Sequence, residues 1–568
     1  MSTLIFGFSR FEMTALNRKA WKRLYRLASP FFYSDVAWKA RGMLGLLLAL
    51  SVSIKAFDVV MSYIGRDFMT ALSLREQDKF MTNLYYYLLA FSVAIPLSVL
   101  YRFTEERLAL MWRRWFTLHT LDKYFANRAY YRLGWYKTVD NPDQRIEEDI
   151  RSFTSTSLSL FLITLQSCIA LFAFAGVLSS ISWTLTVTAI GYAVVGSIVT
   201  YFLGRPLINL NFEQLRREAD YRYKLIKVRD NSESIAFYRG EAKEKTRVRQ
   251  RLKDVVRNML RIIHRNLKVN FFTTGYNYLV IILPTIVVAP LYLRGEIEFG
   301  VVTQSAVAFS HVLNALSIIV TNFGSLSAYA AVVRRLGVFT EVLEEAAAPK
   351  AAPCAEEGEK VSLSHVTILT PDTSRTLVSD LSIEVPSGGL LICGPSGCGK
   401  SSVLRVLSGL WDASSGRVIR PPFLESMYVP QRPYLVIGSL RSQLLYTETR
   451  SGFTSAELLK VLRDVDLESM FDRVGGFDAT VDWSATLSNG EQQRIGLARL
   501  MLVRPKYVFL DEATTAIDEK GEQKIYDQIR QFAKIIVSVG YRSNLQRYHE
   551  SVLELHGDGT WHTEKGGA

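Results

Sequence analysis

The sequence has 568 residues, which is long enough for more than one folded domain. It contains 67 Lys and Arg against 54 Asp and Glu, and much of this excess of +13 lies between long uncharged runs, as in the cytoplasmic loops of a membrane protein. That distribution argues against nucleic acid as the reason for the positive charge. The four cysteines show neither a metal-ligand spacing nor a disulfide framework.

The N-terminal segment, residues 1–41, lacks the apolar stretch and the cleavage site of a signal peptide. Its second part, from residue 10 onward, carries eight Lys or Arg side chains interleaved with apolar ones such as Trp21 and Leu24. This pattern predicts a basic amphipathic helix lying on the anionic cytoplasmic leaflet of a membrane. A plain solvated surface helix is the alternative.

Six runs with little or no charge follow, and each is long enough to cross a bilayer as a helix. The predicted spans begin at residue 42 and continue past 60, cover 81–101, form two helices within 152–204 with a tight turn at 179–182, cover 269–293, and cover 299–333. The last run has 35 residues and would extend about 50 Å as one helix, so we expect it to project from the membrane toward the next domain.

Two sets of polar residues interrupt these spans. Lys55 and Asp58 lie three residues apart in the first span, where a charge is costly and usually faces a cavity or the bundle interior. Gln304, His311 and Asn314 fall roughly on one helical face of the last span. Each set is either part of a path for a solute or a structural contact within the bundle, and the sequence leaves both interpretations open.

The charge of the connecting loops predicts the orientation of the spans. The loops at 102–151 and 205–268 are long and basic, whereas the others are short, so these two loops and both termini should be cytoplasmic. Each long loop has a mostly helical pattern, which predicts a helical hairpin that extends its flanking spans. The hairpin tips, near 133–142 and near 232–241, are the expected places of contact with the C-terminal domain.

Domain boundaries follow from these spans. A helical transmembrane domain is predicted at 42–340, and an Ala-, Glu- and Pro-rich stretch at 341–360 predicts a linker. From 361 to 568, short β-rich runs alternate with helical stretches, which predicts a soluble α/β domain.

The strongest motif of that domain is Gly394-Pro395-Ser396-Gly397-Cys398-Gly399-Lys400-Ser401, which reads G-x-x-x-x-G-K-S. A short apolar run precedes it and a helical pattern beginning at Ser402 follows it, which is the strand–loop–helix context of a phosphate-binding P-loop. The glycines allow backbone N–H groups to surround phosphate oxygens. Lys400 would reach the β- and γ-phosphates, and Ser401 would ligate Mg²⁺.

Other motifs of the domain carry carboxylates and amides. Residues 507–510 are apolar and end in Asp511 and Glu512, which predicts a buried strand that delivers Asp511 to Mg²⁺ and Glu512 to an attacking water. A further strand ends at Gln431, which is a weak signal on its own. Ser488 and Gly490 open a predicted helix whose N-terminus can meet a phosphate.

The order of these motifs, followed by Asp518, resembles the ATPase domain of ABC transporters. The resemblance implies that two such domains sandwich two ATP molecules, with Ser488 and Gly490 of one copy facing the γ-phosphate held by the other. One ATPase domain and six spans imply a half-transporter that dimerises with itself or with a related half-transporter. The implied residues are Glu512, Lys400 and Gln431 for catalysis, Ser401, Gln431 and Asp511 for Mg²⁺, and Gly394, Pro395, Ser396, Gly397, Cys398, Gly399, Lys400, Ser401, Ser402, Ser488, Gly490 and Asp518 for ATP.

Three stretches resemble one group within the ABC transporters, namely residues 140–150, 231–241 and 430–434. The group is ABC subfamily D, together with its bacterial relatives that have a SbmA/BacA-type membrane domain. Subfamily D includes peroxisomal fatty acyl-CoA transporters and the lysosomal cobalamin transporter. The resemblance implies an exporter-like six-helix fold and ATP-driven transport of a peptide or cobalamin-like solute. Fatty acid or fatty acyl-CoA transport is the alternative, and a bacterial inner membrane is the expected location, with an organelle membrane as the alternative.

The sequence departs from the family pattern at two positions. Tyr541 stands where the family has a histidine beside the γ-phosphate, and a phenol cannot replace an imidazole near neutral pH. His549 follows eight residues later and is not expected to substitute. Thr370 stands where an aromatic residue usually stacks on adenine. Because of Tyr541, a membrane protein that binds ATP but hydrolyses it slowly or not at all is a second hypothesis.

Overall fold

A computed structural model shows two compact units, Met1–Ala348 and Pro349–Ala568. The residues that the structure describes are 18–135, 141–318, 323–348, 355–370, 374–447, 452–540 and 543–566. The first unit is helical throughout its described part, and the second combines strands with helices.

Helices of 3 to 53 residues make up the described part of the first unit. They are α1 (Arg18–Ala28), α2 (Ala37–Ser73), α3 (Gln77–Phe125), α4 (Ala129–Leu133), α5 (Pro142–Gln144), α6 (Ile150–Ile181), α7 (Trp183–Asp230), α8 (Ser232–Phe237), α9 (Glu241–Leu293), α10 (Phe299–Leu316) and α11 (Phe323–Ala347). Short 3₁₀ turns at Ser29–Tyr33 and Ala126–Arg128 and a π-helical turn at Arg145–Asp149 connect some of them.

Within the described residues, six helical segments are long and apolar enough to cross a membrane, as the sequence predicts. They are Ala37–Ser73, Gln77–Leu133, Pro142–Ile181, Trp183–Asp230, Glu241–Leu293 and Phe299–Leu316. The predicted turn at 179–182 narrows to Ser182, whose extended backbone separates α6 from α7.

The last span differs from the prediction of one helix over 299–333. Helix α10 ends at Leu316 and α11 begins at Phe323, while residues 319–322 lie outside the described part. Helix α11 then continues to Ala347, so the first residues of the predicted linker are helical.

The predicted hairpins are present as extensions of the spanning helices. Helices α7 and α9 lie along each other and are joined through α8, so the second tip falls at 231–240 as predicted. A buried amide pair, Asn258 Nδ2 donating to Gln214 Oε1 at 3.0 Å, ties the two helices together. Part of the first tip, residues 136–140, lies outside the described residues.

Basic side chains of α1 point at α11. Arg23 lies 3.2 Å from Glu341, and Arg26 pairs with Glu344, which also accepts a hydrogen bond from Lys123 at 2.8 Å. These contacts are made by the first residues of the predicted linker, which are helical. They also give some of the α1 cations a protein partner, which neither the predicted membrane-surface helix nor its solvated alternative includes.

The second unit contains ten strands and seven helices within its described residues. The strands are β1 (Ala355–Glu357), β2 (Ser362–Leu369), β3 (Thr376–Glu384), β4 (Leu390–Cys393), β5 (Ser415–Arg420), β6 (Ser426–Val429), β7 (Tyr507–Asp511), β8 (Ile535–Val539), β9 (Ser551–Leu555) and β10 (Trp561–Lys565). The helices are α12 (Lys400–Leu407), α13 (Leu440–Leu444), α14 (Ser455–Asp464), α15 (Glu468–Val474), α16 (Trp483–Thr486), α17 (Asn489–Val503) and α18 (Glu519–Ile529).

A six-stranded sheet in the order β10-β9-β4-β8-β7-β6 organises this unit, and only β10 is antiparallel to its neighbour. Strands β7 and β8 are buried along their whole length, which explains their continuous apolar sequence. A four-stranded sheet, β1-β5-β2-β3, forms a second layer. Because the carboxyl ends of β4, β8, β7 and β6 share one edge, the residues that follow them are brought together there.

Candidate active site

The loop between β4 and α12 has the backbone of a phosphate cradle. Gly397 and Gly399 have φ angles of 79° and 109°, in the left-handed region that glycine adopts without strain. The Lys400 ammonium is buried and donates hydrogen bonds to Gly394 O at 2.9 Å and Pro395 O at 3.1 Å. The lysine therefore lies across the loop, with its charge inside the cradle that the motif predicts.

Ser401 and Asp511 meet beside this loop. The Ser401 hydroxyl donates to Asp511 Oδ1 at 2.8 Å, which joins the start of α12 to the end of β7. The other carboxylate oxygen accepts a hydrogen bond from the Tyr428 hydroxyl at 2.6 Å. Burial and the nearby Asp511 charge raise the pKa of Tyr428 well above its usual value, so the phenol stays protonated and remains a donor.

Glu512 and Gln431 also meet, although 81 residues separate them in the chain. Gln431 Nε2 donates to Glu512 Oε2 at 2.7 Å. Glu512 has a φ of 50°, which is uncommon for a residue with a side chain and costs about 1–3 kcal/mol. Strain of this kind persists only where the surroundings impose it, and here the Glu512 N–H is held by Val539 O at 3.2 Å.

Gln493, which the sequence analysis did not single out, connects three parts of the site. Its amide nitrogen donates to Gln431 O at 3.1 Å, Glu512 O at 3.4 Å and Thr515 Oγ1 at 3.2 Å. Its amide oxygen accepts from the Ala516 N–H at 3.0 Å. The side chain is buried on α17, so one amide fixes the ends of β6 and β7 relative to that helix.

We expect Gln493→Ala to lower ATP turnover by about tenfold or more, because 1.4 kcal/mol of lost positioning already corresponds to that factor. The substitution leaves the Ala516 N–H without its partner, which should also cost about 1–3 kcal/mol of stability. The measurement is steady-state ATPase activity together with the melting temperature. Gln523→Ala, on an exposed position of α18, is the matched control. Wild-type turnover in Gln493→Ala would contradict the positioning role.

The predicted signature residues lie at the exposed N-terminus of α17. Ser488 caps the helix, with its Oγ accepting from the Glu491 N–H at 3.3 Å, and Glu491 Oε2 accepts in return from the Ser488 N–H at 2.9 Å. A Cβ at Gly490 would lie 3.0 Å from Ala516 O, so only glycine fits there without a shift. Asp518 precedes α18, with its carboxylate 3.7 Å from Arg494.

Four further positions were named from the sequence: Cys398, Ser402, Thr370 and Tyr541. Ser402 and Cys398 are buried at the base of the loop. Thr370 closes a turn, with its N–H donating to Arg375 O at 2.9 Å. Tyr541 lies outside the described residues.

His549 is a fully buried core residue. Its Nδ1 donates to Leu545 O at 2.8 Å, and its Nε2 accepts from the Ser538 hydroxyl at 2.9 Å. That hydroxyl in turn accepts from the Tyr526 hydroxyl at 2.9 Å. Burial lowers the pKa of His549 to about 4, so the ring is neutral at physiological pH. A neutral ring with both nitrogens engaged inside the domain cannot replace the missing histidine.

The site is that of a P-loop ATPase of the kind that drives membrane transport. It combines the loop at 394–401, the two carboxylates at the end of β7 and the glutamine after β6. Comparisons with known proteins identify the family. The model of the ABC transporter transmembrane region 2 matches residues 27–293, and the ABC transporter model matches residues 378–515.

Relatives that match most of the chain identify the subfamily. The chain is 41% identical to an uncharacterised ABC transporter ATP-binding protein of Synechocystis, over 92% of the chain and 81% of that protein. It is 36% identical to the chloroplastic ABC transporter D family member 2 of Arabidopsis thaliana, over 94% and 86%. It is 30% identical to the mouse lysosomal cobalamin transporter, over 95% of each protein. The chain belongs to the D subfamily of ABC transporters.

A solved structure confirms the fold class. A bacterial Atm1-family ABC exporter with ATP bound superimposes with a TM-score of 0.71, covering 92% of this chain and 96% of that one, at 18% identity. The chain therefore has the exporter-like fold, with six candidate membrane helices followed by an α/β nucleotide-binding domain, and it is a multi-pass membrane protein. As a D-subfamily half-transporter it binds ATP and couples its hydrolysis to transport.

Proposed function

We propose that the protein works as a homodimer that moves a hydrophilic solute, a peptide or a cobalamin-like molecule, across a bacterial inner membrane. ATP hydrolysis by this protein is supported by one observation. At the sheet edge where β4, β6 and β7 end, four side chains come together: Ser401, Asp511, Gln431 and Glu512. Ser488, which is exposed, and Gly490, which is half-buried, lie at the start of α17 and would complete the ATP site of the partner copy.

Each site residue has a proposed role. Lys400 holds the β- and γ-phosphates, and the backbone of 394–399 surrounds them. The Ser401 hydroxyl and the Asp511 carboxylate are hard oxygen donors 2.8 Å apart, a pair that fits Mg²⁺, with the Gln431 amide oxygen as a third candidate. The ion would supply neutralisation of phosphate charge. Glu512 orients the attacking water and accepts its proton.

The solute class rests on relatives and on composition. One relative is named a lysosomal cobalamin transporter, and the membrane spans of this chain carry charged and amide side chains. Both favour a hydrophilic solute over a fatty acyl chain. The bacterial membrane is favoured by the similarity to the Synechocystis protein, while the chloroplastic and lysosomal relatives keep an organelle as the alternative.

The test is uptake by vesicles that contain the purified protein. Labelled cobalamin, a labelled peptide and a labelled fatty acyl-CoA are offered side by side, with ATP inside or outside. We expect vanadate-sensitive accumulation of cobalamin or of the peptide. Accumulation of acyl-CoA alone would overturn the proposed solute class, and absence of vanadate-sensitive ATPase activity would overturn active transport.

A second candidate function has one specific observation in its favour. Because Tyr541 replaces the expected histidine, the protein would bind ATP and change shape while hydrolysing it slowly or not at all. This candidate predicts ATP binding without appreciable phosphate release.

A further inference from the structure

A polar cluster inside the membrane unit brings together the two features that the sequence left open. Lys55 and Asp58 are the only Lys, Arg, Asp or Glu residues within the six predicted spans. Their side chains form an ion pair, with Lys55 Nζ 2.9 Å from Asp58 Oδ2. The exposed fractions of the two side chains are 17% and 33%, so the pair is only partly buried.

Contacts between α2 and α10 show which residues of the two helices face each other. The Gly300 N–H donates to Thr70 Oγ1 at 3.1 Å. One turn later on α10, Gln304 Nε2 donates to Ser62 Oγ at 3.3 Å. The two helices are therefore antiparallel, and the residues of α10 that follow Gln304, His311 among them, lie toward the part of α2 that holds Asp58 and Lys55.

Electrostatics agree with this placement. Asp58 and Lys55 both interact electrostatically with His311. The His311 ring also stacks on Phe174, with the ring centroids 4.0 Å apart. His311 thus lies within electrostatic range of the ion pair, and its ring is backed by Phe174.

The polar residues predicted on one face of α10 have different surroundings. Gln304 is buried in the contact with α2, so it is a structural contact between helices. His311 is half-buried, and Asn314 is exposed. The cluster is therefore closed on the side of Gln304 and accessible on the side of His311 and Asn314.

We propose that Lys55, Asp58 and His311 bind the charged part of the transported solute, and that this solute is a zwitterion such as a peptide with free termini. The inference rests on the proposed transport function. A charge pair inside a membrane is costly to maintain and usually marks a functional site. A solute with an ammonium and a carboxylate pairs with Asp58 and Lys55 in turn, so no charge is left uncompensated. An acyl chain offers neither group.

The test uses the purified full-length protein in lipid nanodiscs and measures stimulation of its ATPase activity. The probes are triglycine, its N-acetylated and C-amidated counterpart, and palmitoyl-CoA. We expect triglycine to stimulate, and the capped peptide to require at least about a tenfold higher concentration, which corresponds to 1.4 kcal/mol. Stimulation by palmitoyl-CoA alone would overturn the inference.

The double variant Lys55→Met/Asp58→Leu separates binding from structure. Replacing an ion pair that is largely removed from water by apolar side chains is often neutral for stability, so a purely structural pair predicts a folded protein that still responds to triglycine. A binding site predicts a folded protein whose response is lost. Glu76→Leu/Lys79→Met removes a more exposed ion pair beside the start of α3, with 2.8 Å between its charged atoms, and is the control outside the cluster.

A single variant covers the case in which the double variant does not fold. His311→Phe keeps the ring stacked on Phe174 but removes the imidazole nitrogens, so it should weaken the response to triglycine at unchanged melting temperature. A wild-type protein with vanadate-sensitive ATPase activity but no response to triglycine would overturn this inference alone. Loss of vanadate-sensitive activity in the wild type would overturn the proposed function and this inference together.

Discussion

Glu512→Gln is expected to lower ATP turnover by about two to three orders of magnitude, in the range that general-base catalysis contributes. The Glu512 carboxylate accepts a hydrogen bond from Gln431 Nε2 at 2.7 Å. A glutamine amide has the same shape and still accepts that bond through its oxygen, so the strained backbone keeps its surroundings. The amide cannot accept a proton from water, and the chemical step should therefore fail while ATP binding persists.

Vanadate-sensitive phosphate release and ATP binding are measured on the same preparation. Glu384→Gln is the matched control, since Glu384 forms an exposed ion pair with Lys360 in the same unit. Exposed pairs of this type contribute about 0–1 kcal/mol, so the control should turn over ATP like the wild type. Wild-type turnover in Glu512→Gln would show that another residue takes the proton.

The parts of the site that the sequence predicts well are local in the chain. The spacing of 394–401 specifies a strand, a loop and a helix within a few residues, and the run at 507–512 specifies a buried strand that ends in two carboxylates. The meeting of Ser401 with Asp511 follows from the family resemblance, although 110 residues separate them. Periodicity alone would not have brought them together.

The parts that the sequence missed depend on long-range contacts. Tyr428 reads as an ordinary strand residue, and its bond to Asp511 requires that β6 and β7 be parallel neighbours with Tyr428 opposite Phe509. Gln493 reads as one more polar residue of an amphipathic helix, yet it is buried against residues 62 and 19 positions away. The position of Gln493 beside the signature motif is visible in the sequence. Its burial, which indicates a role in the site, is not visible in a single sequence.

In the membrane unit, too, the sequence predicts local features but not long-range contacts. Hydropathy predicts six spans because apolar length is a local property, and the structure agrees. Hydropathy does not predict that α10 ends at Leu316, since the uncharged run continues without a break to residue 333. Nor does it predict that Arg23 of α1 pairs with Glu341 of α11, which lies 318 residues away.

Tyr541→His is expected to raise ATP turnover by about ten- to hundredfold, because it restores the residue that the family resemblance assigns to the γ-phosphate. A neutral imidazole can accept a hydrogen bond or a proton near pH 7, whereas a phenol cannot accept a proton there. His549 does not fill this role, since both of its ring nitrogens are engaged in the core. Steady-state phosphate release in the purified protein measures the effect, with ATP affinity measured in parallel to separate turnover from binding.

Two further variants identify the origin of any gain. Tyr541→Phe removes only the hydroxyl, so it reports what the phenol contributes by itself. Tyr541→His combined with Glu512→Gln should be as slow as Glu512→Gln alone, because the histidine supports the same water attack that Glu512 promotes. Equal turnover in the wild type and in Tyr541→His would remove the argument for slow hydrolysis. It would mean that the chemical step needs no histidine at position 541, and that Glu512, held in place by Gln431 and Gln493, suffices.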